Sequence, residues 1–293
     1  MLRIIKSSLE DNSPVCHITV GEIDLHGMLL SSPKAKTACL FVHGTGGTFY
    51  GDAWVFKVAN ALIKNKISFL TMNHRGSTSL SSYPPHGATL EKFDGCVNDI
   101  DGWLSFLKRK GFTKFILAGH SLGTEKIVHY MSQTNRKDIQ SIILLGFSDS
   151  FGTTRDYLGN RFDRVMKEAK SLKKQGRGEE FLTTDWLSHG GILPTSAKTF
   201  IDFFSANSLL SQALPLRSSR LEKYSKITVP ILAAIGDQEE YTASSLKHAI
   251  DLMKSENKNS TVEQITNCDH DFTGQTSKLC KIITNFVNAK LKE

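Results

Sequence analysis

Phe115-Ile116-Leu117-Ala118-Gly119-His120-Ser121-Leu122-Gly123 is the stretch that decides how this chain folds. Its first four residues have the length and apolar content of a buried strand. After it, Ile127, Val128 and Met131 recur at helical spacing. A serine between two glycines at a strand-to-helix junction sits on a sharp, exposed turn. The glycines permit that turn and let a neighbouring strand pack close. The serine hydroxyl is then held above the sheet edge, at the positive end of a helix. Gly-x-Ser-x-Gly also arises by chance, so its surroundings must agree with it.

Upstream, Val15–Val20 and Ile23–Leu30 flank Gly21-Glu22 and predict an opening hairpin. Ala38-Cys39-Leu40-Phe41-Val42 is an unbroken apolar strand that ends in His43-Gly44-Thr45-Gly46-Gly47. A helix is predicted over Ala53–Lys64. The strand Ile67–Met72 then opens into Asn73-His74-Arg75-Gly76-Ser77. Phe93, Val97, Ile100, Leu104 and Leu107 mark one face of a long helix in steps of three and four. Downstream, strands are expected at 142–145, at Ile231–Ile235 and at 261–265, with a helix carrying Leu279, Ile282, Ile283 and Phe286. Continuous apolar strands alternating with amphipathic helices imply a mostly parallel sheet covered on both faces. Ligands of such sheets lie beyond the carboxyl ends of the strands, where the glycine-bearing loops also fall.

One stretch breaks the alternation. Residues 147–225 hold no convincing buried strand. Phe162, Val165, Ala169 and Leu172 give an amphipathic helix, and Phe200, Phe203, Phe204, Leu209 and Leu210 form an apolar helical patch. This is expected to be a helical cap inserted into a core made of 1–146 and 226–293.

Composition narrows the function classes. The 293 residues suit one enlarged domain or one domain with an insertion. No segment approaches the ~18 apolar residues of a membrane helix. Met1-Leu2-Arg3-Ile4-Ile5-Lys6 is too short in apolar content for a secretory signal, so a cytoplasmic location is expected. Cys16, Cys39, Cys96, Cys268 and Cys280 are odd in number and unpaired in spacing, which argues against a disulfide scaffold or a zinc site. Neither a metal nor a cofactor is expected. The net charge of +7 has clusters at Lys108-Arg109-Lys110 and Lys173-Lys174, without a recognition motif or interleaved aromatics. Nucleic acid is therefore not an expected partner, whereas an acidic substrate or partner is compatible.

A serine hydroxyl needs a base, and the base is usually a histidine oriented by a carboxylate. The order Ser, acid, His along the chain, with the acid after a late strand, marks one fold among the convergent designs. Gly236-Asp237-Gln238-Glu239-Glu240 follows Ile231–Ile235, and Asn267-Cys268-Asp269-His270-Asp271-Phe272 follows the last strand. In these spaced motifs, together with His43-Gly44 and Arg75-Gly76, the chain resembles the α/β-hydrolase superfamily from its opening hairpin onward. The pattern from Gly119 to Tyr130 is also similar to a subgroup containing fungal siderophore esterases.

The resemblance implies an esterase- or lipase-like enzyme with Ser121 as nucleophile and His270 as general base. The superfamily spacing Gly-x-x-acid points to Glu239, with Asp237 as the alternative; Glu240 is expected to face elsewhere. The N–H groups of Leu122 and Thr45 are the expected oxyanion donors. His43 is expected to brace its loop and His120 to line the elbow. His74, His129 and His189 are expected to be surface or structural residues. The expected reaction is hydrolysis of a small-molecule carboxylic ester through an acyl-enzyme. An apolar part of the substrate would lie near Trp186, Phe200, Phe203 and Phe204, unless these rings form the insertion's own core. A thioesterase or acyltransferase docking an acidic carrier protein, and a non-catalytic binding protein, are the alternatives.

Overall fold

The computed structural model describes residues 13–82, 84–183, 186–188, 191–238 and 240–290, with the backbone alone described at 186–188, 191 and 192. Two antiparallel strands come first, β1 (Val15–Val20) and β2 (Ile23–Leu30). β3 (Thr37–Val42), α1 (Ala53–Lys64) and β4 (Ile67–Met72) form the first parallel crossover. A short ladder of β5 (Ser81–Ser82) and β6 (Pro85–His86) precedes α2 (Gly95–Arg109). Then follow β7 (Lys114–His120), α3 (Leu122–Gln133) and β8 (Ile139–Leu145). The next stretch contains α4 (Ser150–Leu158), α5 (Phe162–Lys174), a hairpin of β9 (Trp186–Ser188) and β10 (Gly191–Leu193), and α6 (Ala197–Phe204). β11 (Ile231–Ile235), α7 (Leu246–Glu256), β12 (Ser260–Gln264) and α8 (Thr276–Lys290) complete the order.

Eight strands make one sheet in the order β1-β2-β4-β3-β7-β8-β11-β12, parallel from β4 onward. The period of two along each strand divides its residues between two cores. On β3, Ala38, Leu40 and Val42 join α2, α3 and α7 on one face. Cys39 and Phe41 join α1 and α8 on the other. Phe115 and Leu117 of β7 alternate with Ile116 and Ala118 in the same way. Both faces are covered, which is why these strands are continuously apolar. Among the described residues, no helix is long and apolar enough to cross a membrane.

The stretch after β8 has its own satellite core, in which Phe151, Phe162, Phe200, Phe203 and Phe204 pack with Leu158, Val165 and Ala169. The rings of Phe200 and Phe204 lie 5.0 Å apart and those of Phe203 and Phe204 6.0 Å apart. These rings are therefore used in packing within the insertion. The side chain of Trp186, and His189, lie outside what is described. The β9–β10 hairpin was not legible as strand, since its strands are short and edge-like. The satellite core ends at Ala213, and Leu214, Leu216, Leu221, Tyr224 and Ile227 already pack into the main core.

A buried carboxylate ties this stretch to the sheet. Glu125 of α3 accepts hydrogen bonds from the Ser150 N–H (3.0 Å), the Ser148 hydroxyl (3.0 Å) and the Ser150 hydroxyl. Next to it, Asp149 caps α4 through the Gly152 N–H (2.8 Å) and pairs with Arg217 at 2.5 Å. Burial, and then the neighbouring Asp149 charge, push the Glu125 carboxyl up from 4.5 to about 8. A carboxyl with a raised folded pKa holds its proton more tightly in the native state than when unfolded. Its effect is a loss of stability as pH rises from 4.5 to about 8. Glu125→Gln keeps the shape, and the two serine hydroxyls can turn to accept from the new amide. Urea unfolding at ~pH 5 and ~pH 9 should show a smaller fall in stability for Glu125→Gln than for the natural chain.

Candidate active site

The elbow is built from a parallel register and two close approaches. Val42 pairs with Gly119 across β3 and β7, so the loops leaving the two strands run side by side. Ser121 has φ 54° and ψ −127°, a conformation that non-glycine residues rarely hold and that the surroundings must enforce. The Ser121 N–H is fixed by the Leu145 carbonyl of β8 at 3.1 Å. Gly123 lies so close to β3 that a Cβ there would stand 2.2 Å from the Val42 carbonyl oxygen. Helix α3 thus starts directly behind Ser121. The Leu122 N–H belongs to its first turn, where no preceding helical carbonyl exists to accept it.

His270 is buried beside this turn. Its Nδ1 is 2.8 Å from Glu240 Oε2. A carboxylate oxygen accepts, so Nδ1 carries a proton toward Glu240, and in the neutral ring Nε2 is then the lone-pair nitrogen. Nε2 is buried, with no hydrogen-bond partner among the described residues. The His270 carbonyl accepts from His120 Nε2 (2.9 Å), and the Tyr241 ring meets the imidazole edge-on at 4.4 Å between centroids. His120 therefore braces the backbone of His270. Burial, with His270 nearby, holds the His120 imidazole down at about 3, so it stays neutral.

Here the geometry corrects the expectation for the acid. Glu240, which was expected to face elsewhere, is the carboxylate on His270. Its Oε1 accepts the Gly236 N–H at 2.8 Å, so the loop closes on itself and aims Oε2 at the ring. Asp237 is turned away, accepting the N–H groups of Asn267 and Cys268 at 3.0 Å each. Those two bonds hold its carboxyl below the usual range. Glu239 lies outside the described residues. The paired glutamates were visible in sequence; which one folds back depends on the lacing of 237–238 to 267–268, which spacing alone does not encode.

Thr45 lies in a loop held by histidines. His43 Nδ1 is 2.8 Å from the Gly44 carbonyl, so Nδ1 carries the proton and donates. His43 Nε2 then accepts from the Ser77 hydroxyl at 2.7 Å, and that oxygen accepts the His74 N–H at 2.9 Å. In a trans peptide the carbonyl and the following N–H point oppositely. Pinning the Gly44 carbonyl therefore sends the Thr45 N–H the other way. A Cβ on Gly44 would stand 2.9 Å from Ser121 Cβ, so this peptide borders the serine. His74 and His129 are buried rather than at the surface. His129 links Asp94 (2.8 Å) to Lys223 (3.0 Å). The partners of His74 include a buried lysine, Lys126, to which periodicity assigned no role.

The family described as "Protein of unknown function (DUF1749)" matches residues 23–288. The chain belongs to the DUF1749 family. No curated protein sequence matches it. Solved structures similar to this DUF1749 chain include a soluble variant of monoglyceride lipase from Saccharomyces cerevisiae in complex with a substrate analog. That structure has a TM-score of 0.69 and 13% identity, over 97% of this chain and 98% of the lipase. Est1E from Butyrivibrio proteoclasticus with ferulic acid bound has a TM-score of 0.66 and 16% identity, over 95% and 100%. Siderophore hydrolase EstB from Aspergillus fumigatus has a TM-score of 0.65 and 17% identity, over 97% and 99%. At these identities the likeness establishes the fold: this DUF1749 protein has the α/β-hydrolase fold.

The elbow's dependence on close approach is open to direct test. Gly123→Ala must push α3 away from β3, because the Val42 oxygen cannot yield. Thermal or urea unfolding should show a loss of ~1–3 kcal/mol or more. Unchanged stability would mean that α3 does not approach β3 this closely.

Proposed function

We propose that this DUF1749 protein is a serine hydrolase that cleaves a carboxylic ester through an acyl-enzyme. One observation carries the reading: a buried imidazole, paired at Nδ1 with Glu240 and presenting an unpaired Nε2 lone pair, beside a serine on a strained elbow. Few structural roles require a buried histidine with one satisfied and one unpaired nitrogen, whereas a general base does.

Ser121 Oγ attacks the ester carbonyl carbon while its proton passes to His270 Nε2. Glu240 stabilises the imidazolium so formed through the Nδ1 proton. The carbonyl oxygen becomes an oxyanion that accepts the N–H groups of Leu122 and Thr45. Collapse breaks the bond to the alcohol oxygen, which leaves with the proton from His270. A water molecule then gives its proton to His270, attacks the acyl carbon and releases the acid, restoring Ser121. Esters are favoured over amides because an alkoxide is the better leaving group. The names of the similar structures, an esterase, a monoglyceride lipase and a siderophore hydrolase, support an ester substrate.

Residues 147–225 fit the part of a cap. Leu193 of β10 lies 4.0 Å from where a Cβ on Gly46 would stand, so the insertion reaches the loop that holds Thr45. Ser196 also donates its N–H to the Thr89 carbonyl at 2.9 Å, tying α6 to the loop before α2.

A fluorophosphonate probe should label Ser121 in the folded protein, and Ser121→Ala should abolish both labelling and hydrolysis of p-nitrophenyl esters. An unlabelled Ser121 ends the hydrolase reading. Glu240→Gln should lower kcat by ~10³–10⁴-fold, as loss of the orienting carboxylate does in serine proteases. Asp237→Asn should leave kcat close to that of the natural enzyme. The reverse outcome would transfer the orienting role to Asp237.

A further inference from the structure

Among the described residues, Lys126 is the one lysine or arginine that is fully buried, at 0% exposure. It lies on α3, five positions after Ser121. Burying an ammonium is costly unless strong partners surround it, and a methionine of similar length would fill the same space without that cost. Its partners lead to the oxyanion loop. Nζ donates to Glu91 Oε1 at 2.6 Å and stands 3.2 and 3.3 Å from His74 Nε2 and Nδ1. Glu91 is wedged against the loop after β4, where a Cβ on Gly76 would stand 2.0 Å from its Oε2.

An ammonium only donates, so the nitrogen of His74 that meets it must offer a lone pair. His74 Nδ1 also accepts the Gly76 N–H at 3.0 Å. The His74 ring stacks on the His43 ring at 4.1 Å and 24°. His43 in turn holds the Gly44 carbonyl. A continuous path therefore runs from Glu91 and Lys126 through two stacked imidazoles to the Gly44–Thr45 peptide beside Ser121. It works only while both rings are neutral. Charging His43 would place a proton on Nε2, the atom that accepts the Ser77 hydroxyl. Charging both would stack two cations face to face.

We propose that Lys126 is a positioning residue: through His74 and His43 it holds the Gly44–Thr45 peptide with the Thr45 N–H turned toward the developing oxyanion. The inference rests on the hydrolase reading above and extends it to a residue that touches neither substrate nor Ser121. Burial and the Lys126 charge hold His74 well below its ordinary range, and burial chiefly holds His43 at about 3. The other ionisable groups facing this cluster include Glu91, Arg75, Cys96 and Asp99 of α2, and His120. Arg75 is paired with Asp99 at 2.7 Å, so it remains charged in any Lys126 variant.

The test uses the full chain and p-nitrophenyl ester hydrolysis. Lys126→Met alone leaves Glu91 buried without its ammonium partner, so the informative form is the double variant Glu91→Gln/Lys126→Met, which removes both charges together. The expected result is a cooperatively folded protein whose kcat falls up to ~10²-fold with KM unchanged, the signature of a donor displaced from the transition state. A double variant with natural kcat would show that Lys126 only neutralises Glu91 and would overturn the proposal. Should the double variant fail to fold, His74→Gln decides. It keeps an acceptor for Lys126 but removes the ring on His43, and must show the same loss of kcat with KM unchanged; natural kcat overturns the proposal. Natural enzyme inert to both ester and fluorophosphonate would instead refute the hydrolase reading, and this inference with it.

Discussion

The close approach of α3 to β3 behind Ser121 is the constraint on which the rest depends. With Gly123 against the Val42 carbonyl, the chain can leave β7 only by turning sharply at Ser121. That turn holds the serine in a strained conformation and points the first N–H of α3 at the sheet edge. The same parallel register brings the His43–Gly44 loop alongside. Strand pairing therefore places Ser121 and two candidate donors together before any side chain acts.

Helix α3 then carries two adjacent buried polar side chains, Glu125 and Lys126, that serve different neighbours. Glu125 faces the start of the insertion and collects the Ser148 and Ser150 donors. Lys126 faces the loops after β3 and β4 and meets Glu91 and His74. Successive residues on a helix diverge by about 100°, so one helix reaches both sides of the serine. Each polar head carries a desolvation cost that an apolar residue would avoid, and each is compensated by specific hydrogen bonds. The outcome is a helix whose seat relative to both the stretch after β8 and the His43–Gly44 loop is set by directional contacts rather than by shape alone.

Most of the core was legible because its strands are buried on both faces. β1, β2, β4 and β11 fall at the residues where apolar runs and turn signals set them. α7 carried too polar a face to stand out, although Ala249, Ile250, Leu252 and Met253 bury it against the sheet. In the insertion the phenylalanines were visible, but their use was not: close ring pairs make them a satellite core. Ser121 and His270 stood out because each occupies a loop leaving a recognisable strand. Glu240 did not, because its approach to His270 depends on two loops distant in sequence being laced through Asp237 and Cys268.

By itself the sequence determined the period of the strands and helices, the elbow and the order of serine, acidic loop and histidine, since these are local patterns of apolarity, glycine and spacing. Tertiary structure alone decided which carboxylate meets the imidazole, which way the Gly44–Thr45 peptide faces and where a buried lysine finds its partners. Those outcomes rest on hydrogen bonds between segments far apart in the chain, and their directions exist only once the sheet has brought the loops to one edge.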